Sequence, residues 1–175
     1  MSIFSKLWRR RKPSQSQAVL ELDNEFTSFS GTAYGNAAFC SAVDAISRQA
    51  AKLQAHSPDT DLETLLSRRP NAYMSAFDLL YKTAAAYFTN NNAFLLLDRD
   101  DGGTITAVYP ITPASVEFKT GPDGAIYLDC LFTDGRQVTF LYTDVIHLRR
   151  HFLTNDLAGD TNAPLFPLLD TAQTL

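Results

Sequence analysis

A single change of hydrophobic rhythm governs what this chain can fold into. Between Asn36 and about Phe88 the apolar residues recur at helical spacing, whereas from Asn92 to Arg150 they alternate in short runs broken by glycine-bearing turns. A chain that switches period once codes helices followed by antiparallel strands, and therefore an α+β fold. No internal repeat interrupts that order.

In the helical half, Phe39, Val43, Ile46, Ala50 and Leu53 follow one another at alternating steps of four and three and mark a first helix, which Ser57-Pro58-Asp59 ends. Asp61 is then placed to cap a short helix carrying Leu62, Leu65 and Leu66, stopped by Arg68-Arg69-Pro70. Ser75 and Asp78 have capping-box spacing ahead of Phe77, Leu80, Tyr81, Ala84, Ala85 and Phe88, which predicts a third helix from Ala76 to about Thr89.

In the second half, AFLLLD and TITAVYP flank Asp100-Asp101-Gly102-Gly103, a hairpin turn whose glycines supply positive φ. SVEFK and AIYLDCLF flank Gly121-Pro122-Asp123-Gly124, and AIYLDCLF pairs onward with QVTFLY across Thr133-Asp134-Gly135. DVIHLRR reads as a last short strand. The expected architecture is thus N-terminal helices packed on a small twisted antiparallel sheet of five or six strands. Its core is expected to hold Phe39, Val43, Ile46, Leu53, Phe77, Leu80, Phe94, Leu96 and Ile105.

Three spans follow: residues 1–34 as a basic N-terminal segment and flexible arm, 35–155 as the α+β body, and 156–175 as a linker. Within that linker Pro164 and Pro167 introduce the start of a helix that the sequence does not complete.

With 175 residues, 45% of them hydrophobic and only 19% charged, the chain has the composition of a folded protein. A net charge of -4 gives the body no attraction to nucleic acid. The charge is uneven, because Lys6, Arg9, Arg10, Arg11 and Lys12 place five of the 15 basic residues in the first twelve positions. These five are the candidates for contact with phosphates or an acidic partner, a role weighed against simple solvation. No apolar run approaches the roughly 20 residues of a membrane-spanning helix, and the basic residues follow the first hydrophobes, unlike a signal peptide. Cys40 and Cys130 lack metal-ligand spacing and read as buried free thiols, with a disulfide as the lesser alternative.

Candidate chemistry is sparse. Asp144 and His147 lie three apart, and with Ser115 or Thr143 as nucleophile they would sketch a hydrolase, but no nucleophile elbow accompanies them. His147 alternates with Ile146 and Leu148 on a strand, which favours an outward or half-buried polar side chain. Asp59 with Asp61, and Asp98 with Asp100 and Asp101, lack the glycine and terminal glutamate of a calcium loop and read as solvated turn acids. Gly102-Gly103 has no strand–loop–helix context of a phosphate cradle. The expectation is a protein without catalytic, cofactor or metal residues.

Five segments, taken in order, resemble the portal proteins of long-tailed bacteriophages: AFCSAVDAISRQAAKL, LLSRRPNAYMSAFDLL, NNNAFLLLDRD, TAVYPITPASVEF and DVIHLRRHF, spanning most of residues 36–152. The start MSIFSKLWRRRK is also similar to theirs. Where that family has a Gly-X-Ser-Pro-like turn, this chain has Gly159-Asp160 and then Asn162-Ala163-Pro164.

The resemblance implies the wing of a portal subunit, with the channel-lining stem, clip, tunnel loop and crown downstream of Leu175. It implies a structural role in a homo-oligomeric ring at one capsid vertex, through which double-stranded DNA is packaged and ejected. The implied partners are the major capsid protein, the terminase large subunit and a head-completion or adaptor protein, in the virion and, during assembly, the host cytoplasm, with no membrane and no cofactor. The competing expectation is a cytoplasmic α+β interaction module of unrelated ancestry.

Overall fold

A computed structural model describes residues 20–27, 36–153 and 156–162, the first of these spans by its backbone alone. Three helices come first within the body. Helix α1 (Ala37–Ala50) is capped by Asn36, whose Oδ1 accepts the Phe39 amide proton at 3.0 Å. Helix α2 (Thr60–Arg68) is capped by Asp59 and not by Asp61. The Asp59 carboxylate accepts from the Asp61 and Leu62 amides, so the cap sits two residues earlier than expected. Helix α3 (Ala76–Asn90) opens with the reciprocal capping box expected of Ser75 and Asp78 and ends on Asn91 in the left-handed conformation, φ 56°.

Among the described residues seven strands run in the sequence order β1 (Leu20–Thr27), β2 (Asn92–Arg99), β3 (Ile105–Ile111), β4 (Ser115–Thr120), β5 (Ile126–Leu131), β6 (Gln137–Leu141) and β7 (Val145–Arg149). Each of the three expected turns closes on a glycine of positive φ, between 77° and 86° at Gly103, Gly124 and Gly135.

The α+β class stands, but the strands divide between two antiparallel sheets, β1-β4-β5-β6 and β3-β2-β7. The chain passes from β1 through the helices to β2 of the other sheet, and crosses twice more. Thr112-Pro113 interrupts the chain between β3 and β4, and a 3-10 turn at Tyr142–Asp144 carries it from β6 back to β7, which pairs with β2. The stretch read from the sequence as arm contributes a strand, β1, paired antiparallel with β4 from Leu20↔Thr120 to Thr27↔Ser115.

Cross-strand register assigns the faces. Phe94, Leu96, Ile111 and Val145 look from the three-stranded sheet towards Val116, Phe118, Leu128 and Cys130 of the other, and these eight form the core together with Ala158. Val116, Phe118, Leu128 and Cys130 are wholly buried. Helix α3 covers the opposite face of β2 and β3, and α1 packs on α3. The free edge of β3 is closed by the Pro70–Asn71 corner: the Val108 amide donates to Pro70 O at 2.7 Å, and Asn71 Nδ2 donates back to Val108 O at 2.8 Å.

The helical layer departs from the sequence pattern. Val43, Phe94 and Leu96 are buried, while Phe39, Leu80 and Ile105 are half-buried. Ile46, Leu53 and Phe77 are exposed, at 43%, 68% and 46%. The seam of α1 runs along Val43, Ser47 and Ala51, one residue in four, so its small side chains carry the contact and Ile46 is turned to the flank. Leu53 lies beyond the end of α1, and Phe77 in the first turn of α3 stacks only on Tyr81, 6.4 Å between centroids.

Candidate functional site

A dense polar cluster stands at the corner where α3 turns into β2. Helix α3 ends there because Asn91 takes the left-handed conformation, and Asn92 then begins the strand. Asn92 Nδ2 donates to Asn90 O and Gly159 O, which fixes its Oδ1 as the acceptor, and that oxygen takes the Gly159 amide proton at 2.7 Å. Asn91 Nδ2 donates to Asp160 O and Asn162 Oδ1, both at 2.7 Å, while Asn162 Nδ2 donates back to Thr89 O. Asn91 and Asn92, met from the other side by Asn162, thus tie the segment after β7 to the helix–strand corner. Gly159 is required there: a Cβ would lie 2.3 Å from Asn91 O and 2.6 Å from Arg150 O.

His147 completes the corner from β7. Its Nε2 lies 2.9 Å from Asn92 Oδ1, an acceptor, so Nε2 carries the proton; Nδ1 then accepts from the Tyr142 hydroxyl at 3.2 Å. The ring stacks on Phe94, 4.3 Å between centroids, and faces Phe118 at 5.8 Å, so it bridges the two sheets. Burial, and after it the Arg149 charge, pushes its pKa down to about 3, and the imidazole stays neutral at physiological pH. With both nitrogens engaged, His147 has no lone pair to offer Ser115 or Thr143 as a base. Asp144 is buried on the far side of the turn, with its Oδ1 3.8 Å from Arg99 Nε. The Asp144–His147 spacing is structural, as the alternation along β7 implies.

The acidic candidates resolve into caps and turns. Asp59 caps α2, and Asp100 Oδ1 accepts from the Gly102 and Thr104 amides within its hairpin. Among the described residues no three His, Cys, Asp or Glu side chains converge at metal distance. Cys130 is buried and its thiol is pushed up to about 12 by burial, whereas Cys40 is only half-buried; the two are not joined in a disulfide. On the outer face of the four-stranded sheet, Asp129 accepts from Lys119 Nζ at 2.6 Å and Gln137 Nε2 at 2.7 Å. The hydrogen bonds to Asp129 and Glu117 hold the Lys119 pKa up at about 12.

Several large apolar side chains are exposed among the described residues. One patch lies beside the helices, at Ile46, Leu53 and Phe77. The other follows β7: Ile146 and Leu148 point from the edge strand away from the core, at 42% and 40% exposure, and Phe152 and Leu153 continue them. Arg149 lies 4.9 Å over the Phe152 ring. Sequence periodicity could not find the helical patch, because its residues share the phase of a buried face; the signal was the line of small residues at Ser47 and Ala51. Lys6, Arg9, Arg10, Arg11 and Lys12, and the expected final helix, lie outside the described residues.

Comparison with known proteins gives one family and one fold. The family model described as phage portal protein matches residues 37–165. No curated protein matches the chain. Among solved structures, a chain from the neck of a native GTA particle computed with C12 symmetry is 20% identical, with a TM-score of 0.68 over 82% of this chain and 40% of its own. A chain from the virion of the native gene transfer agent particle gives 0.65 at 20% identity, covering 82% and 41%. One from the neck of the empty GTA particle, computed with C6 symmetry, gives 0.63 at 20% identity, covering 81% and 40%. This chain therefore spans about two fifths of the length of those structures, and at such identity the likeness is one of fold.

Proposed function

Because the chain belongs to the phage portal protein family, we propose that it serves as the wing-like portion of a portal-vertex subunit, one copy in a homo-oligomeric ring through which double-stranded DNA is packaged and later ejected. The role is structural. The packaging motor and the tail attach to such a ring, and the partners follow: the major capsid protein, the terminase large subunit and a head-completion protein, in the virion and beforehand in the host cytoplasm. The observation that carries this reading is the coincidence of the family match, residues 37–165, with the body from α1 through the segment latched after β7.

The site geometry supports a part built for contact. The half-buried His147 has both nitrogens occupied by structural partners, and exposed large apolar side chains lie on the surface. The same proposal takes residues 35–155 as the body, 1–34 as a basic arm attached through β1, and 156–175 as the link onward. Lys6, Arg9, Arg10, Arg11 and Lys12 are proposed to meet phosphates or an acidic surface.

Electron microscopy of the complete gene product tests the reading. A closed ring whose outer domain fits α1 to β7 is the expected result. A product that remains monomeric at micromolar concentration, or a ring with this domain lining the channel, overturns it.

A further inference from the structure

Leu53, one of the exposed apolar residues beside the helices, opens onto a cavity of about 250 Å³ between the end of α1, α2 and the start of α3, walled also by Ala55, Leu66, Ala76 and Leu80, with Glu63 on its wall. Helix α2 has no fully buried residue although its leucines share one face, so the groove is a helix face only half covered. The first turn of α2 adds Asp59 and Asp61 to Glu63, and its N-terminus adds a partial positive charge that these carboxylates outweigh. An occupant that fits is short, apolar on one side and basic on the other.

The chain contains one segment of that kind: Ile3, Phe4, Leu7 and Trp8 have the spacing of one helical face, and Lys6 and Arg9 to Lys12 surround them. We propose that residues 3–8 of the chain dock into this groove, with Trp8 and Leu7 against Leu53 and Leu66 and the basic run over the acidic turn of α2. Charge favours the pairing, since beyond residue 12 the chain carries ten basic residues against 19 acidic ones. Reach permits it in the same copy: the eleven residues between Trp8 and Leu20, the start of β1, can span about 40 Å when extended. A compact body of this size has a radius of gyration of about 14 Å. Tethering at that length gives an effective concentration on the order of millimolar, so a groove of modest affinity is filled by its own segment. The docking goes beyond the ring proposal and does not depend on it.

Trp8 is the only tryptophan, so its fluorescence reads the groove directly. The 175-residue chain is expected to show emission blue-shifted from free tryptophan and resistant to acrylamide, unchanged over a hundredfold dilution. Leu53→Asp, at a position already 68% exposed, is expected to move the emission to the red with circular dichroism unchanged, while Leu153→Asp, 93% exposed and remote from the groove, leaves it in place. Solvent-like emission in the parent chain overturns the proposal, and so does emission indifferent to Leu53→Asp. A blue shift that fades on dilution overturns it too, because the groove is then filled by a second copy.

Discussion

The strand layers and the helical layer of this molecule are packed to different standards. Between the two sheets, Val116, Phe118, Leu128 and Cys130 are wholly buried and meet Phe94, Leu96, Ile111 and Val145 across the gap. In the helical layer α1 buries only Val43 and Ser47, α2 buries nothing completely, and Ile46, Leu53 and Phe77 face solvent. The difference teaches that the sandwich is a finished core, whereas the helices leave an apolar face only partly covered.

Matched truncations break or sharpen that comparison most strongly. Phe118→Ala is expected to cost about 3–5 kcal/mol in urea unfolding, and Phe77→Ala less than about 1 kcal/mol, although both are phenylalanines in regular elements. Equal losses would erase the distinction between the layers. The acid response comes next. In the folded state His147 stays neutral down to about pH 3, whereas an unfolded histidine takes up a proton near 6.5. The unfolded chain therefore binds more protons below pH 6.5, and stability falls as pH drops through that window, by up to roughly 4 kcal/mol at its foot, and is flat above it. His147→Gln should flatten the part of the slope between pH 6.5 and 5, where few carboxylates titrate; an unchanged slope there would remove His147 from the inter-sheet core.

A smaller loss is expected on the outer face of the four-stranded sheet. Lys119→Met leaves the buried Asp129 with Gln137 and Thr139 alone, at a cost of about 1–2 kcal/mol by thermal unfolding. The Lys119 pKa is raised, so the contribution of this pair is present below pH 10.5 and lost as pH rises towards 12. Smallest of all, Ile46→Ala should change stability by under about 0.5 kcal/mol, since the side chain lies outside the groove and is 43% exposed. A cost above 2 kcal/mol would mean that the helical layer is a core after all.

Local signals in the sequence were legible because they are local. The Ser75–Asp78 capping box, the period of α3 and the three glycine turns each depend on residues within a few positions, and each stands where expected. The partition into two sheets was not legible, since the β2–β3 hairpin and the β4–β5–β6 meander read the same whether they share a sheet or stack. Only the return of β7 to β2, fifty positions away in sequence, decides it. Strand β1 was hidden by its own composition: Glu21, Asp23, Asn24 and Glu25 dilute the apolar alternation to that of a linker. At the corner, a half-buried His147 followed from alternation along β7. Its partners did not, because Asn92 and Gly159 reach it through tertiary contacts that no spacing encodes.

Amide hydrogen exchange compared between the isolated chain and the assembled full-length ring tests the central claim most directly. The account predicts that β4 and β5 exchange slowly and alike in both, while α1 and the first turn of α3, whose exposed Ile46 and Phe77 lie outside the groove, gain protection on assembly. Equal protection of the helical layer in the two states, with the gain confined to the sandwich, would contradict it.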